Sequence, residues 1–483
     1  MVCNIVNTWR QASGHPLAIP QAAYWSGRPD YTLQIPTDDS TKRVDRWQHM
    51  FGLFECPWFH RLWVIQEVVL ARIALVYWGD CVIPWVWIGL VASIIRNNFH
   101  QLREEPSKDA FLSEVMKPQV DDGDRVSVIP TGVLNAYFMY RLAPRQTILE
   151  AVSLPFGQLL LFTCQFGCKD PRDRVFGILG LPVNGTLPWR SKNGSEQLFM
   201  TPDYTKPTAC IFHEVAAKIL SSEKSLSVLS SIQDDRSCIT GRGQERNELL
   251  WIPSWVPDWG VVHTRTLTPL ESDDGFAPCA GKERQLRDIG NAAVLVVRGI
   301  DVQPIQTTKS LGRSKKAAGL SQSTQNELRN LLEQLRYTNT DLTKLALTLT
   351  AGKDWYGFPV KDRAAYLSDY AACLIKDGLV WSLSNVVANH HRNPVSGTES
   401  DYIDISKLEE LATEGYPDRF MDAVTTACRN RKGFLTASGF EGIGPAVMEQ
   451  GDRICILYGA NVLSLYAERM IIIVCLANAM FMT

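Results

Sequence analysis

The spacing of apolar residues in the first hundred positions predicts helices on either side of a strand. Apolar side chains recur at helical spacing through residues 57–71, which begin with a proline as a helix can, so we expect one continuous helix there. Residues 74–78 (ALVYW) form an apolar run before a Gly-Asp pair, which predicts a buried strand and a turn. Helical spacing returns at residues 84–95. This order indicates an α/β unit.

Two further helices and an aromatic connection are predicted in the middle of the chain. Asp170, Pro171 and Asp173 place an acidic N-cap, a first-turn proline and a second acid at the positive end of a helix dipole. Residues 211–220 carry their apolar side chains on one face, as a packed helix does. Residues 251–259 (WIPSWVPDW) are broken by prolines, so their tryptophans are expected to fix an irregular connection onto these helices.

The last third of the chain predicts helices followed by a small β-rich unit. Residues 292–300 (AAVLVVRGI) favour a strand, while residues 321–349 and 364–376 favour helices. Short β-favouring runs separated by glycines follow in residues 433–460. We expect these runs to form a partial barrel that the strand near Val296 completes. The fold class predicted for the whole chain is therefore mixed, of the α+β type.

Composition limits the classes of protein to which the chain can belong. With 483 residues, 45% of them hydrophobic and 21% charged, it is long enough for more than one packing unit and has the composition of a folded protein. A formal net charge of -2 provides no global field for nucleic acid. Dispersed cysteines and a start without signal-peptide features favour a reducing, cytoplasmic setting. The apolar stretch at residues 470–482 is shorter than the roughly 20 residues of a spanning helix, so no membrane span is expected.

A candidate acid lies in the first predicted helix. On one continuous helix, Glu67 shares a side with aromatic and polar neighbours, and Arg61 lies nearly opposite. The neighbours on the side of Glu67 are His60, Trp63 and Gln66. Two interpretations remain open. Glu67 is a functional acid in a pocket, its pKa raised by burial, or Gln66 and Glu67 are buried hydrogen-bonding residues that fix the helix.

The other polar clusters favour structural roles. Cap chemistry accounts for Asp170 and Asp173 without a metal or a phosphate. Cys164 and Cys168 have no second Cys or His pair at zinc-site spacing, and the histidine pair at 390–391 stands in a polar run typical of solvated surface. No phosphate loop, G-x-S-x-G elbow, H-E-x-x-H motif or ordered dinucleotide fingerprint occurs in the sequence. No metal and no cofactor is therefore expected.

Five segments, in this order, resemble the heterokaryon-incompatibility (HET) domain proteins of filamentous fungi. They are residues 57–71 (PWFHRLWVIQEVVLA), 170–181 (DPRDRVFGILGL), 202–207 (PDYTKP), 253–259 (PSWVPDW) and 434–459, the last being similar to the C-terminal segment of larger members. Each motif alone is weakly specific, but five in order are not expected by chance. The HET signature residues are Trp58, Arg61, Trp63, Gln66 and Glu67, and the later structural motifs are carried by Asp170, Pro171, Arg172, Asp173, Trp255, Pro257, Asp258 and Trp259.

The resemblance implies a fold related to the Toll/interleukin-receptor (TIR) type. Family members usually begin with a Tyr-x-Trp-Gly-like strand and a Cys-Ile-Asn-Gln-like segment, and neither occurs before Trp9, so this chain is expected to begin after them. Residues 469–483 also depart from the family pattern. We expect an incomplete TIR-like α/β HET domain with exposed strand edges. The expected units are a domain remnant at 1–98, a helical region with family motifs at 140–265, and a helical and β-rich region at 290–483.

The same resemblance implies a role in fungal non-self recognition, in which HET-domain proteins trigger growth arrest and cell death when incompatible hyphae fuse. Such a factor would act through contacts with a protein partner, and its oligomeric state is left open. One alternative is a TIR-like enzyme that hydrolyses NAD, with Glu67 as its acid. The others are a non-catalytic interaction module built on the C-terminal β unit, and a degenerate copy.

Overall fold

The computed structural model describes the chain as a series of segments. They are residues 50–97, 119–121, 124–126, 129–145, 151–152, 154–183, 198–232, 252–260, 278–279, 281–286, 294–310, 342–354, 360, 362–376, 405–428, 431–460, 463–466 and 476–481. The predictions for the first 49 residues, residues 321–341, Trp251 and the histidine pair at 390–391 lie outside them. Within these segments, no helix combines the length and the apolar character that crossing a membrane requires.

The larger helical cluster packs around big aromatic side chains. Phe51, Phe54, Phe59, Trp85 and Phe212 are fully buried in its core. The predicted helices at 84–95 and 211–220 are confirmed, and the second buries the apolar face that its spacing defines. The helical elements are residues 50–54, a 3₁₀ helix at Pro57–His60, α1 (Val64–Val69), α2 (Trp85–Asn97), α3 (Thr131–Leu142), α4 (Phe156–Thr163), α5 (Asp173–Phe176), α6 (Thr208–Ser222) and a 3₁₀ helix at Ser227–Ser231.

The expectation of one continuous helix over residues 57–71 is wrong, because the chain is extended at Arg61. The backbone of Arg61 has φ -87° and ψ 133°. The amide of Leu62 donates to the carbonyl of Gly167 at 2.9 Å, and the amide of Gly167 donates to the carbonyl of His60 at 2.6 Å. These bonds to a distant segment take the place of helical ones. His60 therefore does not share a helical face with Glu67.

The first strand lies in an exposed hairpin, so the expectation of a buried strand in an α/β unit is wrong. β1 (Leu75–Trp78) pairs antiparallel with β2 (Cys81–Pro84), and Gly79 supplies the positive φ of 57° that the tight turn needs. Only one face of the hairpin packs on the helical core, and Tyr77 on the other face is 72% exposed. A second small hairpin joins β3 (Gln119–Asp121) to β4 (Asp124–Val126).

A second helical cluster has its own core, with Tyr366, Tyr370 and Phe420 packed together. The helix at Arg363–Lys376 packs against those at Ile405–Ala412 and Pro417–Cys428. The buried carboxylate of Asp369 accepts the amide of Tyr416 at 2.8 Å and Nη2 of Arg419 at 2.5 Å. The helix expected at 364–376 is confirmed. The helices are α7 (Leu342–Leu349), α8 (Arg363–Lys376), α9 (Ile405–Ala412) and α10 (Pro417–Cys428).

The C-terminal β unit is a closed antiparallel barrel, where a partial barrel was expected. The strand that completes it begins at Gly299, slightly after the predicted position, and bends at two irregularities so that its first half pairs with β8 and its second half with β6. The strand order around the barrel is β10, β7, β6, β5, β8, β9. The strands are β5 (Gly299–Ser310), β6 (Arg431–Thr436), β7 (Glu441–Pro445), β8 (Arg453–Leu457), β9 (Leu463–Tyr466) and β10 (Leu476–Phe481).

The barrel is joined to the larger helical cluster. The amide of Leu226, just after α6, donates to the carbonyl of Gly459 at 2.9 Å, and Cys455 and Leu457 of β8 belong to the helical core. The fold is therefore mixed α+β, as expected. In the described part of the first hundred residues the hairpin is the one sheet, so a TIR-like sheet stays a prediction.

Candidate functional site

Three motif segments that lie far apart in the sequence meet at the carboxylate of Asp173, the first residue of α5. The indole Nε1 of Trp63 donates to Asp173 Oδ2 at 3.2 Å, and the hydroxyl of Tyr204 donates to Asp173 Oδ1 at 2.6 Å. Burial and the bond to Asp173 raise the pKa of Tyr204 to about 12, so this hydroxyl remains a donor at neutral pH. Three of the motif segments are thereby tied to one side chain.

Arg172 also connects the segment around Asp170 with the segment around Tyr204. Its guanidinium holds Asp170 through three hydrogen bonds, the shortest from Nη2 to Oδ2 at 2.7 Å, and Nη1 donates to the backbone carbonyls of Tyr204 and Lys206. The guanidinium also stacks over the ring of Tyr204 at 5.2 Å. The hydrogen bond from Arg172 lowers the pKa of Asp170. A helix does begin within residues 170–173, as expected, but its first residue is Asp173 and its N-cap is Arg172 and not Asp170. Asp170 Oδ1 accepts the amide of Arg172 at 2.9 Å, just before the helix.

Gln66 connects α1 to the turn that follows α5. Its Nε2 donates to the carbonyl of Gly177 at 2.7 Å. A Cβ at Gly180 would lie 3.1 Å from Gln66 Oε1, so a larger residue there would crowd the amide. This contact gives Gln66 the structural role of the second interpretation above, in which it fixes α1 to neighbouring backbone.

Arg174 was not singled out from the sequence, although it organises the end of α4. Its Nη1 donates to the carbonyls of Thr163, Cys164 and Phe166, which is the cap that a cation provides at a helix C-terminus. Burial raises the pKa of Cys164 to about 12 and also raises that of Cys168. Both thiols therefore stay protonated at neutral pH and are poor nucleophiles.

The aromatic connection packs on α6, as its prolines and tryptophans predict. Trp255 and Trp259 are 3% and 2% exposed, and their rings meet the rings of His213 and Phe212 edge-on at 5.1 and 5.3 Å. Pro257, which lies between the two tryptophans in the sequence, is also buried. At the end of the segment, Asp258 Oδ1 accepts the amide of Gly260 at 2.8 Å. Within the described residues neither indole N–H has a hydrogen-bond acceptor.

The remaining signature residues divide into one anchored and two exposed side chains. Trp58 is half-buried, with its ring edge-on to Phe59 at 5.1 Å and to Trp85 at 5.8 Å. Arg61 and Glu67 are exposed. The expected burial of Glu67 is therefore wrong, because α1 buries its other side through Val64, Ile65, Val68 and Val69.

The comparisons with known proteins give one relative. No protein-family model and no solved structure matches the chain. The chain is similar to Heterokaryon incompatibility protein 6, OR allele, of Neurospora crassa, with 21% identity over 454 residues. The similarity covers 86% of this chain and 61% of that protein, so the chain spans less than two thirds of its relative's length.

The acidic groups of the site are engaged by neighbouring donors, and two of its aromatic side chains are exposed. The carboxylate of Asp173 is occupied by two donors, and that of Asp170 by Arg172. Across the residues that the structure describes, no group of three or more His, Cys, Asp or Glu side chains is placed to hold a metal ion. Trp63 and Tyr204 are 38% and 47% exposed beside these anchored polar groups. The motif segments therefore present a surface with two fixed aromatic side chains, which we call the motif surface.

Proposed function

We propose that this chain is an incompatibility factor of the HET type, which takes part in non-self recognition between fungal cells and acts through protein contacts. The observation that carries the proposal is the convergence of motifs 57–71, 170–181 and 202–207 at Asp173, in a chain whose similarity to the Neurospora crassa incompatibility protein covers 86% of its length. A link to programmed cell death follows from the family resemblance and belongs to the same proposal.

The state of the polar groups supports contact as the mode of action. A catalytic site needs an acid, base or nucleophile that is free to react. Asp173 and Asp170 are held by neighbouring donors, and the thiols of Cys164 and Cys168 are protonated. Glu67, the acid of the NAD-hydrolase alternative, stands on the exposed side of α1. Fixed, exposed aromatic side chains are typical of protein recognition surfaces, because they bring a large contact area at little entropic cost.

Controlled expression in a filamentous fungus tests the proposal. The full chain is placed under an inducible promoter, and colony growth and vital-dye uptake are measured after induction, with protein level checked by immunoblot. We expect growth arrest and dye uptake. Normal growth at a verified protein level would contradict the cell-death role.

A pair of variants then tests the motif surface. Trp63→Ala combined with Tyr204→Ala removes both exposed aromatic rings, and we expect it to abolish the growth arrest. Phe440→Ala is the matched control, since Phe440 is a 40% exposed aromatic residue just before β7 of the barrel and lies outside the three segments that meet at Asp173. Arrest that is equally strong in the double variant would remove the motif surface from the proposal.

A further inference from the structure

The β1–β2 hairpin is apolar on both of its faces, which is unusual for a sheet that packs on one side only. In an antiparallel pair, residues opposite each other in register point to the same face. Val76 pairs with Ile83, and both pack against the helical core. Tyr77 pairs with Val82 and Leu75 pairs with Pro84 on the other face, which we call the outer face.

The outer face lies in water although a polar surface would be expected there. Leu75 is 46% exposed, Tyr77 72% and Val82 52%, and Pro84 is also exposed. Ile73, just before β1, is 74% exposed and adjoins them. One-sided antiparallel sheets alternate apolar and polar residues, whereas sheets covered on both faces have continuous apolar runs. The sequence of this hairpin is therefore that of a sheet whose second face is covered.

We infer that a second copy of this chain covers the outer face, so that the two hairpins stack face to face about a two-fold axis. No charged side chain lies on the face, so two copies meet without like-charge repulsion. The charges stand at its ends, with exposed Arg72 before β1 and exposed Asp80 in the turn. Neither forms an ion pair with another described residue. A two-fold axis that lies in the interface and runs perpendicular to the strands places the base of one hairpin over the tip of the other, which brings each Arg72 to the Asp80 of the other copy.

The area of the face fits a weak dimer. A fully exposed large apolar side chain presents roughly 150–250 Å², so the exposed fractions above, which amount to about 2.4 such side chains, correspond to about 370–610 Å² on each copy. Two copies would bury about 1,000 Å² in total, at the lower end of specific interfaces. We therefore expect a reversible dimer with a dissociation constant of about micromolar size. This inference is independent of the cell-death role, because it concerns the purified chain alone.

Sedimentation velocity of the full chain, from about 1 to about 100 μM, measures the association directly. Reducing agent is present throughout, because Cys81 and Cys210 are exposed free thiols that could cross-link two copies. We expect the weight-average mass to rise from one copy to two over this range. A single copy at every concentration would overturn the inference.

Hairpin variants identify the surface. Tyr77→Lys puts a charge on each outer face and should weaken the dimer at least tenfold. Phe440→Lys, at an exposed aromatic residue just before β7 of the barrel, should leave the dimer unchanged. Arg72→Asp and Asp80→Arg should each weaken it, and the two changes combined should restore it. Equal thermal denaturation curves verify that the variants are folded. A dimer that is insensitive to Tyr77→Lys, or a double charge reversal that does not restore it, would overturn the two-fold arrangement.

Discussion

Two neighbouring residues of α1 provide a matched test of how the motif segments hold together. Nε2 of Gln66 donates to the carbonyl of Gly177 at 2.7 Å, whereas Glu67 is exposed on the same helix. Gln66→Glu keeps the size of the side chain but presents an oxygen to that carbonyl, so the bond is lost and two acceptors face each other. Glu67→Gln makes the opposite replacement, of a carboxylate by an amide, at a solvent-exposed position. The two variants should therefore differ in their effect on stability, although both exchange an amide and a carboxylate of the same size.

The magnitude follows from the burial of the contact. A net hydrogen bond contributes about 0.5–1.5 kcal/mol, and leaving its partner unsatisfied costs about 1–3 kcal/mol when it is buried. Since Gln66 is only half-buried, we expect Gln66→Glu to lower the free energy of unfolding by about 1–3 kcal/mol. An exposed exchange such as Glu67→Gln should change it by less than about 0.5 kcal/mol. With a urea m value of about 3 kcal/mol/M, the midpoint of unfolding falls by about 0.3–1 M in the first variant only.

Urea denaturation followed by tryptophan fluorescence measures these midpoints, and hydrogen exchange of residues 173–181 locates the loss. Exchange should accelerate in this segment in Gln66→Glu and not in Glu67→Gln. The difference should shrink in acid, because a protonated carboxyl can again donate to the carbonyl of Gly177. Equal midpoints and equal exchange in the two variants would refute the role assigned to Gln66, and a large loss in Glu67→Gln would show that the exposed position of Glu67 is wrong.

Two further substitutions test packing and burial. Gly132→Ala should destabilise the protein by about 2–3 kcal/mol, because a Cβ there would lie 1.7 Å from the backbone oxygen of Phe54. Gly52→Ala is the control and should be neutral or stabilising, because a Cβ there would meet nothing within 4 Å. Thermal denaturation compares the two variants, and equal melting temperatures would contradict this prediction. Burial raises the pKa of Glu223, although the amide of Gly157 donates to it at 3.2 Å, so the folded state binds this proton more tightly and stability falls as pH rises from the unfolded pKa through the folded one. Glu223→Gln should therefore raise the melting temperature at pH 7 relative to wild type and lose this advantage near pH 4. An equal effect of the substitution on the melting temperature at both pH values would count against the burial of a charged Glu223.

Local chemistry made parts of the fold predictable from the sequence. The acidic residues and the proline at 170–173 identify a helix start through backbone rules that act within one turn. The apolar spacing at 211–220 identifies the buried face of α6, because residues three and four positions apart lie on one side of a helix. Both features depend on residues a few positions apart, and both are found in the structure.

The errors arose where a distant segment decides the local structure. The helical pattern at 57–71 is broken because Gly167 forms two backbone hydrogen bonds with the residues around Arg61. The apolar run at 74–78 does form a strand, but no local pattern tells whether a second layer covers its outer face. The barrel is completed by an early strand, as expected, but it is closed and not partial, because β5 pairs with both β6 and β8. Tertiary contacts of this kind override propensity, and the sequence does not encode them within a short window.

The contacts of the motif residues show that a distant resemblance reports a shared scaffold and not the identity of a binding partner. Gln66, Arg172 and Asp173 have their polar atoms engaged by neighbouring segments, so a change at any of them alters the packing of the site. Similarity at such positions reports a shared scaffold. The exposed ring of Tyr77 contributes little to that packing, and a related chain can differ there without losing its fold. Under the proposed function, specificity for a protein partner resides in exposed side chains of this kind, and exchanging them between two related chains should transfer the specificity while leaving the stability of the scaffold unchanged.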